Sequence, residues 1–364
     1  MRPFRIEERR RAVRRGLEFI YEVARDEECF AVYGHDLINC FYFISDTSLD
    51  ATLRRAARRM GRERARLWRQ EHSRLPADAD AETVSEYIHG SYAADRLGLP
   101  DPALKEQLRR AARQLTAQDY FWFDPVKEPP PSTVTERCRC GLLNERGRKT
   151  CAGCRRRLTF INHYKLWYDA LIGAYNCERV GVRVGARYHE VLKWLPSLRP
   201  YRGREGGANP DFYDSLYAVT HVVYTLNDYS RYQLSPRWLP AEYEFLKRNL
   251  HEAVETEDAD MMGEFLDSLR AFGLEDTHTL IRTGIDFLLS GQNADGSWGD
   301  PAAKDVYHRY HPTWTAIDGL REYRWRGRRL SFPRLMPLLR EMNARPRRVI
   351  REAHPPEQIE PGLE

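Results

Sequence analysis

The chain has 364 residues, 42% hydrophobic and 12% aromatic, enough for one large core or two modest ones. No apolar run approaches the roughly 18 residues that a membrane span needs, and the charged start, Met1-Arg2-Pro3-Phe4-Arg5, does not read as a signal peptide, so a cytoplasmic location is expected. The net charge of +5 is spread widely, and runs such as Arg54-Arg55-Ala56-Ala57-Arg58-Arg59 alternate Arg with Ala at helical spacing, which describes solvated helix faces and argues against a nucleic-acid partner.

Apolar residues recur with a period of 3.6 almost throughout, and strand signals are nearly absent. Two kinds of predicted helix alternate. Long, Arg/Glu-rich segments at 7–26, 49–72, 101–118, 185–196, 240–255 and 275–290 are followed by segments richer in aromatic and small residues at 34–45, 82–98, 160–178, 211–228, 258–273 and 311–323. An all-α (α/α)6 toroid requires this alternation, because its outer helices face water on one side while its inner helices touch neighbours nearly all round and line a central cavity. The expected organisation is a first part of the toroid over 1–118, a Pro-rich insertion over 119–159, the remainder over 160–343, and a flexible tail over 344–364.

The insertion contains Pro125, Pro129, Pro130 and Pro131, then Cys138-Arg139-Cys140-Gly141 and Cys151-Ala152-Gly153-Cys154. Two short-spaced pairs, each in a Gly-containing turn, present four thiolates to one tetrahedral ion, so Cys138, Cys140, Cys151 and Cys154 are expected to hold a zinc. Four sulfur ligands leave no open position, which makes this zinc knuckle structural. Two disulfides, four free thiols or an iron–sulfur cluster are the alternatives. Arg146, Arg148, Arg155, Arg156 and Arg157 surround the knuckle and offer a basic face to a protein partner. Cys29, Cys40 and Cys177 sit in apolar helical contexts and are expected in the core.

Chemistry is expected on the cavity-lining helices. Tyr213, Tyr217, His221, Tyr224 and Asp228 recur every three or four residues and form one stripe. Glu86 and His89 share a face in the spacing that carboxylate-bridged metal sites of helical bundles use. Asp260, Glu264 and Asp267 form a carboxylate stripe, and His311 and Asp318 lie two turns apart, preceded by Asp305 and His308. His35 and His163 open two further inner helices, so His35, His163 and His311 should lie near one mouth and His89 and His221 deeper. A lone helical His is more often a satisfied core residue, and a carboxylate stripe is more often solvated surface. Their coincidence on all six inner helices favours a site.

The segment Gln292-Asn293-Ala294-Asp295-Gly296-Ser297-Trp298-Gly299, closing an apolar helix, resembles the Gln-Trp repeat of the terpenoid cyclases, shared in weaker form by the protein prenyltransferase β subunits. The resemblance implies the toroid fold, with the Gln capping a helix end and the Trp packed between helix layers. It does not carry a mechanism over. The Asp-x-Asp-Asp acid and the Asp-Asp-x-x-Asp magnesium motif are absent, since the chain has no Asp-Asp pair, and the region before His311 offers Asp305 and His308 without the Cys of the prenyltransferase zinc site.

The leading expectation is a metal-dependent enzyme, an oxidoreductase or a lyase, acting on a small apolar or aromatic substrate. His89, His221 and His311 would be ligands of a second metal such as iron, Glu86, Glu264 or Asp318 a further ligand or base, and Tyr213, Tyr217 and Tyr224 would orient the substrate. A divergent terpenoid cyclase or prenyl-handling enzyme is the alternative within catalysis. A scaffold binding another protein through its Arg-rich zinc knuckle is the alternative outside it.

Overall fold

The computed structural model describes residues 3–131, 133–135 and 160–344, with residues 140, 142, 144, 148, 150–156 and 158 of the intervening loop. Cys138, Arg146, Arg157 and residues 345–364 of the expected tail lie outside the described residues. The chain runs through α1 (Ile6–Arg25), α2 (Glu27–Thr47), α3 (Ala51–Glu71), α4 (Ala81–Arg96), α5 (Pro102–Ala112) and α6 (Ala117–Phe121), then the strands β1 (Thr133–Thr135) and β2 (Phe160–Asn162). It continues through α7 (His163–Val180), α8 (Tyr188–Leu192), α9 (Phe212–Asn227), α10 (Pro240–Glu255), α11 (Ala259–Ala271), α12 (Thr279–Ser290), α13 (Tyr307–Leu320) and α14 (Met336–Ala344).

Acidic caps set many of these starts. Asp26, Asp50, Asp80, Asp101 and Asp258 each accept a hydrogen bond from a backbone N–H in the first turn of α2, α3, α4, α5 and α11. The Asp26 cap starts α2 seven residues before the expected position, because the apolar pattern alone does not register the Glu27-Glu28 first turn. The segment expected as one helix over 185–196 forms only α8 and a 3-10 turn at Leu195–Leu198, which contains Pro196. Thr116 caps α6, so the helix expected to reach 118 is split after Ala112.

Burial separates two kinds of helix. α1 hides Ile6, Arg9, Ala12, Val13, Gly16, Leu17 and Ile20, one face at three- and four-residue spacing, and α12 hides Ile281, Gly284, Ile285 and Leu288. α11 is buried continuously from Met261 to Ala271, and α9 nearly so from Ser215 to Asn227. The surrounded helices follow one another in space. α2 packs on α4, α4 on α7, α7 on α9, α9 on α11 and α11 on α13, and α1 bridges α13 back to α2.

The turn after α12 fastens this closure. Trp298 is fully buried, donates through Nε1 to the Leu288 carbonyl at 2.7 Å, and lies so close to α1 that a Cβ at Gly16 would come 2.9 Å from its ring. Gly296 has φ +92° against the Arg15 backbone, which favours a residue without a side chain. Gln292 donates from Nε2 to the carbonyls of Ala12 and Gly296, so it ties the turn to the middle of α1 and does not cap a helix end.

The insertion is closed by a two-stranded antiparallel stem in which Thr133 faces Asn162 and Thr135 faces Phe160. Among the described residues no helix is long and apolar enough to cross a membrane.

Candidate functional site

The site begins with a glycine. α11 and α13 approach so closely that a Cβ on Gly263 would lie 2.3 Å from the Thr315 carbonyl carbon, and Gly319 faces Gly263 from α13. This approach brings Asp260, one turn before Gly263, against side chains of α13. His311 Nδ1 lies 3.0 Å from Asp260 Oδ1, and the Thr315 hydroxyl donates to the same oxygen at 2.9 Å. The Tyr217 hydroxyl of α9 donates to Asp260 Oδ2 at 2.8 Å. Glu264 follows one turn later, so one ligand atom from each of Asp260, Glu264 and His311 falls within 4.8 Å of the others.

The three groups perturb one another. Burial disfavours charge on His311, but Asp260 outweighs it and holds the imidazole raised to about 9. Burial likewise opposes the Asp260 charge, and the His311 cation together with the hydroxyls of Tyr217 and Thr315 keeps that carboxyl below its usual range. Glu264 is pushed up to about 8 by burial and by the Asp260 charge. Its side chain is buried, and among the described residues Oε2 has no hydrogen-bond partner. In neutral solution the group therefore holds an ion pair and a protonated Glu264, two buried carboxylates facing one imidazole.

These side chains border an interior space. Asp260 and His311 keep 16% and 17% of their side-chain surface accessible, although they lie deep among the helices. Asp169 of α7 is equally deep, yet 51% of its side chain is accessible. Groups surrounded at depth but still reachable by water line a recess or chamber among the helices. Tyr307, stacked on His311 with ring centroids 4.9 Å apart, and Trp314 add aromatic wall. A groove of about 330 Å³ between α1 and α3 holds none of these groups.

The structure brings Glu264 and His311 together and joins Asp260 to them. His221 lies beside the group without entering it. Its Nδ1 is 2.7 Å from the Tyr217 carbonyl, which can only accept, so the neutral ring carries its proton on Nδ1 and leaves Nε2 as the acceptor. Burial pushes this imidazole down to about 4, and Tyr168 stacks on it at 5.2 Å. His89 sits elsewhere, its ring 5.5 Å from that of His35, and burial together with His35 pushes it down to about 4. The two were expected at different depths, but the earlier start of α2 carries His35 two turns inward. Glu86 stands near His35, and burial raises its carboxyl. Asp318 pairs with Arg321 at 2.6 Å, next to Asp267, which burial and Asp318 push up to about 7. Tyr217 holds Asp260, Tyr224 donates to the Glu264 carbonyl at 3.4 Å, and Tyr213 is exposed at the start of α9.

In the sequence Asp260 belongs to the carboxylate stripe but not to the expected ligands, and Asp36, Asp169 and Tyr307 lie outside the expected site. The four-residue steps Asp260–Glu264 and Tyr307–His311 carried the signal, and only the helix crossing shows that the two stripes meet.

In the insertion, Cys140, Cys151 and Cys154 each place a sulfur within 4.8 Å of the others, and Cys140 Sγ lies 3.5 Å from Cys151 Sγ. Thiolates about 2.3 Å from a tetrahedral ion sit roughly 3.8 Å apart, close to this spacing. Backbone N–H groups of Cys154 and Gly153 pull the Cys151 thiol down to about 6, favouring the thiolate that binds metal. Arg148, Arg155 and Arg156 are exposed beside it.

One protein-family model, described as a domain of unknown function (DUF6895), matches residues 212–317. That segment runs from the first residue of α9 into α13 and contains Tyr217, His221, Asp260, Glu264 and His311. No curated protein and no solved structure matches the chain.

Proposed function

We propose that the protein is a metal-dependent enzyme on an (α/α)6 toroid, in which Asp260, Glu264 and His311 hold a catalytic ion beside a small, partly apolar substrate. The observation that carries this reading is the unpartnered, buried Glu264 Oε2 beside Asp260 and His311. Two buried carboxylates within reach of one imidazole call for a cation, and in its absence protons take that role. The closed succession of helix contacts and the Trp298 turn support the toroid, and with it the likeness to the terpenoid-cyclase fold.

Three protein ligands leave positions open for substrate or water, the arrangement of catalytic rather than structural sites. A bound ion would supply Lewis acidity, with iron suited to oxidation and zinc to hydrolysis or elimination. Tyr217 and Thr315 fix the Asp260 carboxylate, and His221, neutral with an unprotonated Nε2, would accept a proton from the substrate. Cys140, Cys151 and Cys154, with Cys138, would hold a separate structural zinc, and the arginines beside it would meet an acidic protein partner.

A second reading dispenses with the ion. Glu264, protonated in neutral solution, would be a general acid beside Tyr224, which suits a divergent terpenoid cyclase.

Elemental analysis of the purified full chain separates the two. The metal-dependent reading expects close to one metal ion per chain beyond the cysteine-bound zinc, lost in His311→Ala while the melting transition persists. Unaltered metal content in that variant would overturn it.

A further inference from the structure

Carboxyl groups of three helices surround Tyr307 of α13: Asp36 of α2, bound to the Tyr310 hydroxyl whose ring lies 5.4 Å from that of Tyr307, Asp169 of α7, and Asp260 of α11 with the protonated Glu264 beside it. Few cations oppose them. His311 is committed to Asp260, and Lys165 Nζ lies 3.0 Å from Asp169. His89, held neutral in its buried position, adds no positive charge near Asp36. Asp36 itself forms no ion pair among the described residues; it accepts a hydrogen bond from the Tyr310 hydroxyl at 2.9 Å. A divalent ion held by Asp260, Glu264 and His311 would balance those two carboxylates and still leave Asp36 without a counter-charge.

The chamber also presents aromatic faces. Tyr307 is stacked on His311 and 37% accessible, and Trp314 and Tyr229 are partly accessible beside it. Tyr229 is held inward by unusual backbone. Asp228, Tyr229 and Ser230 have φ of 61°, 49° and 62°, three consecutive left-handed residues that are not glycine. Asp228 is gripped by Tyr175, Arg179 and Arg231, and the Ser230 hydroxyl donates to Asp267. Such a segment persists where the surroundings over-determine it, and here it lays the Tyr229 ring on Phe43 with centroids 4.2 Å apart and planes within 7°.

We propose that the chamber takes a substrate bearing a protonated amine, with the unpaired Asp36 as its counter-ion, Asp169 as a second carboxylate that it would share with Lys165, and Tyr307, Trp314 and Tyr229 as its aromatic wall. The assignment rests on the reading of this interior as an active site. A desolvated ammonium is attracted both by the ring faces and by an unpaired carboxylate, whereas a neutral molecule of the same shape gains only the apolar contact.

The test compares benzylammonium with benzyl alcohol, nearly isosteric probes, by calorimetric titration of the full chain as purified at pH 7. Benzylammonium is expected to bind about tenfold more tightly or better, a difference of about 1.4 kcal/mol, and Asp36→Asn should abolish the preference. Asp169→Asn serves as the second variant should Asp36→Asn fail to melt cooperatively. Equal affinities, no binding of benzylammonium, or a preference that survives both substitutions overturns the proposal. Metal content is read separately, so a metal-loaded chain indifferent to the ammonium removes this proposal and leaves the metal site standing.

Discussion

Replacing Glu264 by Gln should change how stability depends on pH. The carboxyl is raised to about 8 in the folded chain, from an ordinary value of 4.5, because burial and the Asp260 charge penalise ionisation. The folded state therefore holds this proton more tightly than the unfolded state. Its stabilising contribution is complete below about pH 4.5 and disappears as pH rises through about 8. That displacement, from 4.5 to about 8, is worth roughly 4–5 kcal/mol, a large part of the roughly 5–15 kcal/mol that typically holds a domain together. In chelator-treated protein, the wild type should lose about that much more stability between pH 5 and pH 9 than Glu264→Gln does. The His311–Asp260 pair makes its own contribution, fully present below about 6.5 and lost as pH rises through about 9, and that pair is kept in both proteins. Because an amide placed where Oε2 lacks a partner costs about 1–3 kcal/mol at every pH, the pH-dependent difference is the quantity to compare. Urea unfolding at four pH values measures it. Parallel stability curves for the two proteins would refute a buried, protonated Glu264.

Two further outcomes follow from the packing and the cysteine loop. Cys154→Ser should carry about one zinc fewer per chain by elemental analysis and melt at lower temperature, since metal binding is coupled to local folding; undiminished zinc would dismiss the knuckle. Trp298→Ala, which removes a fully buried side chain and orphans the bond to the Leu288 carbonyl, should cost about 3–5 kcal/mol in denaturant unfolding without altering bound metal; a loss under about 1 kcal/mol would mean that this turn does not fasten α1 and α13.

What the sequence determined by itself is what local physics dictates. The 3.6 period separated the single-stripe helices α1 and α12 from the surrounded helices α9 and α11, because exposure to water on one side or none is written into each segment's own residues. The Gly296–Trp298 turn and the short-spaced cysteines were equally readable, since φ +92° against a neighbouring backbone and thiolates a few residues apart are local demands. Caps and helix starts were less legible where an acidic first turn, as at Glu27-Glu28, carries no apolar signal.

Which stripes meet was decided only by the tertiary structure. The expected ligands His89, His221 and His311 all occur on inward faces, yet His89 pairs with His35 and His221 stands beside the cluster, while Asp260 completes it. The deciding contact is the approach of Gly263 to Thr315, which fixes Asp260 against His311 across fifty-one positions of sequence. A stripe's periodicity gives its direction around a helix axis but not its height in the assembled body. That height depends on where each helix starts and how closely its neighbour crosses it, and both are set by packing between distant segments.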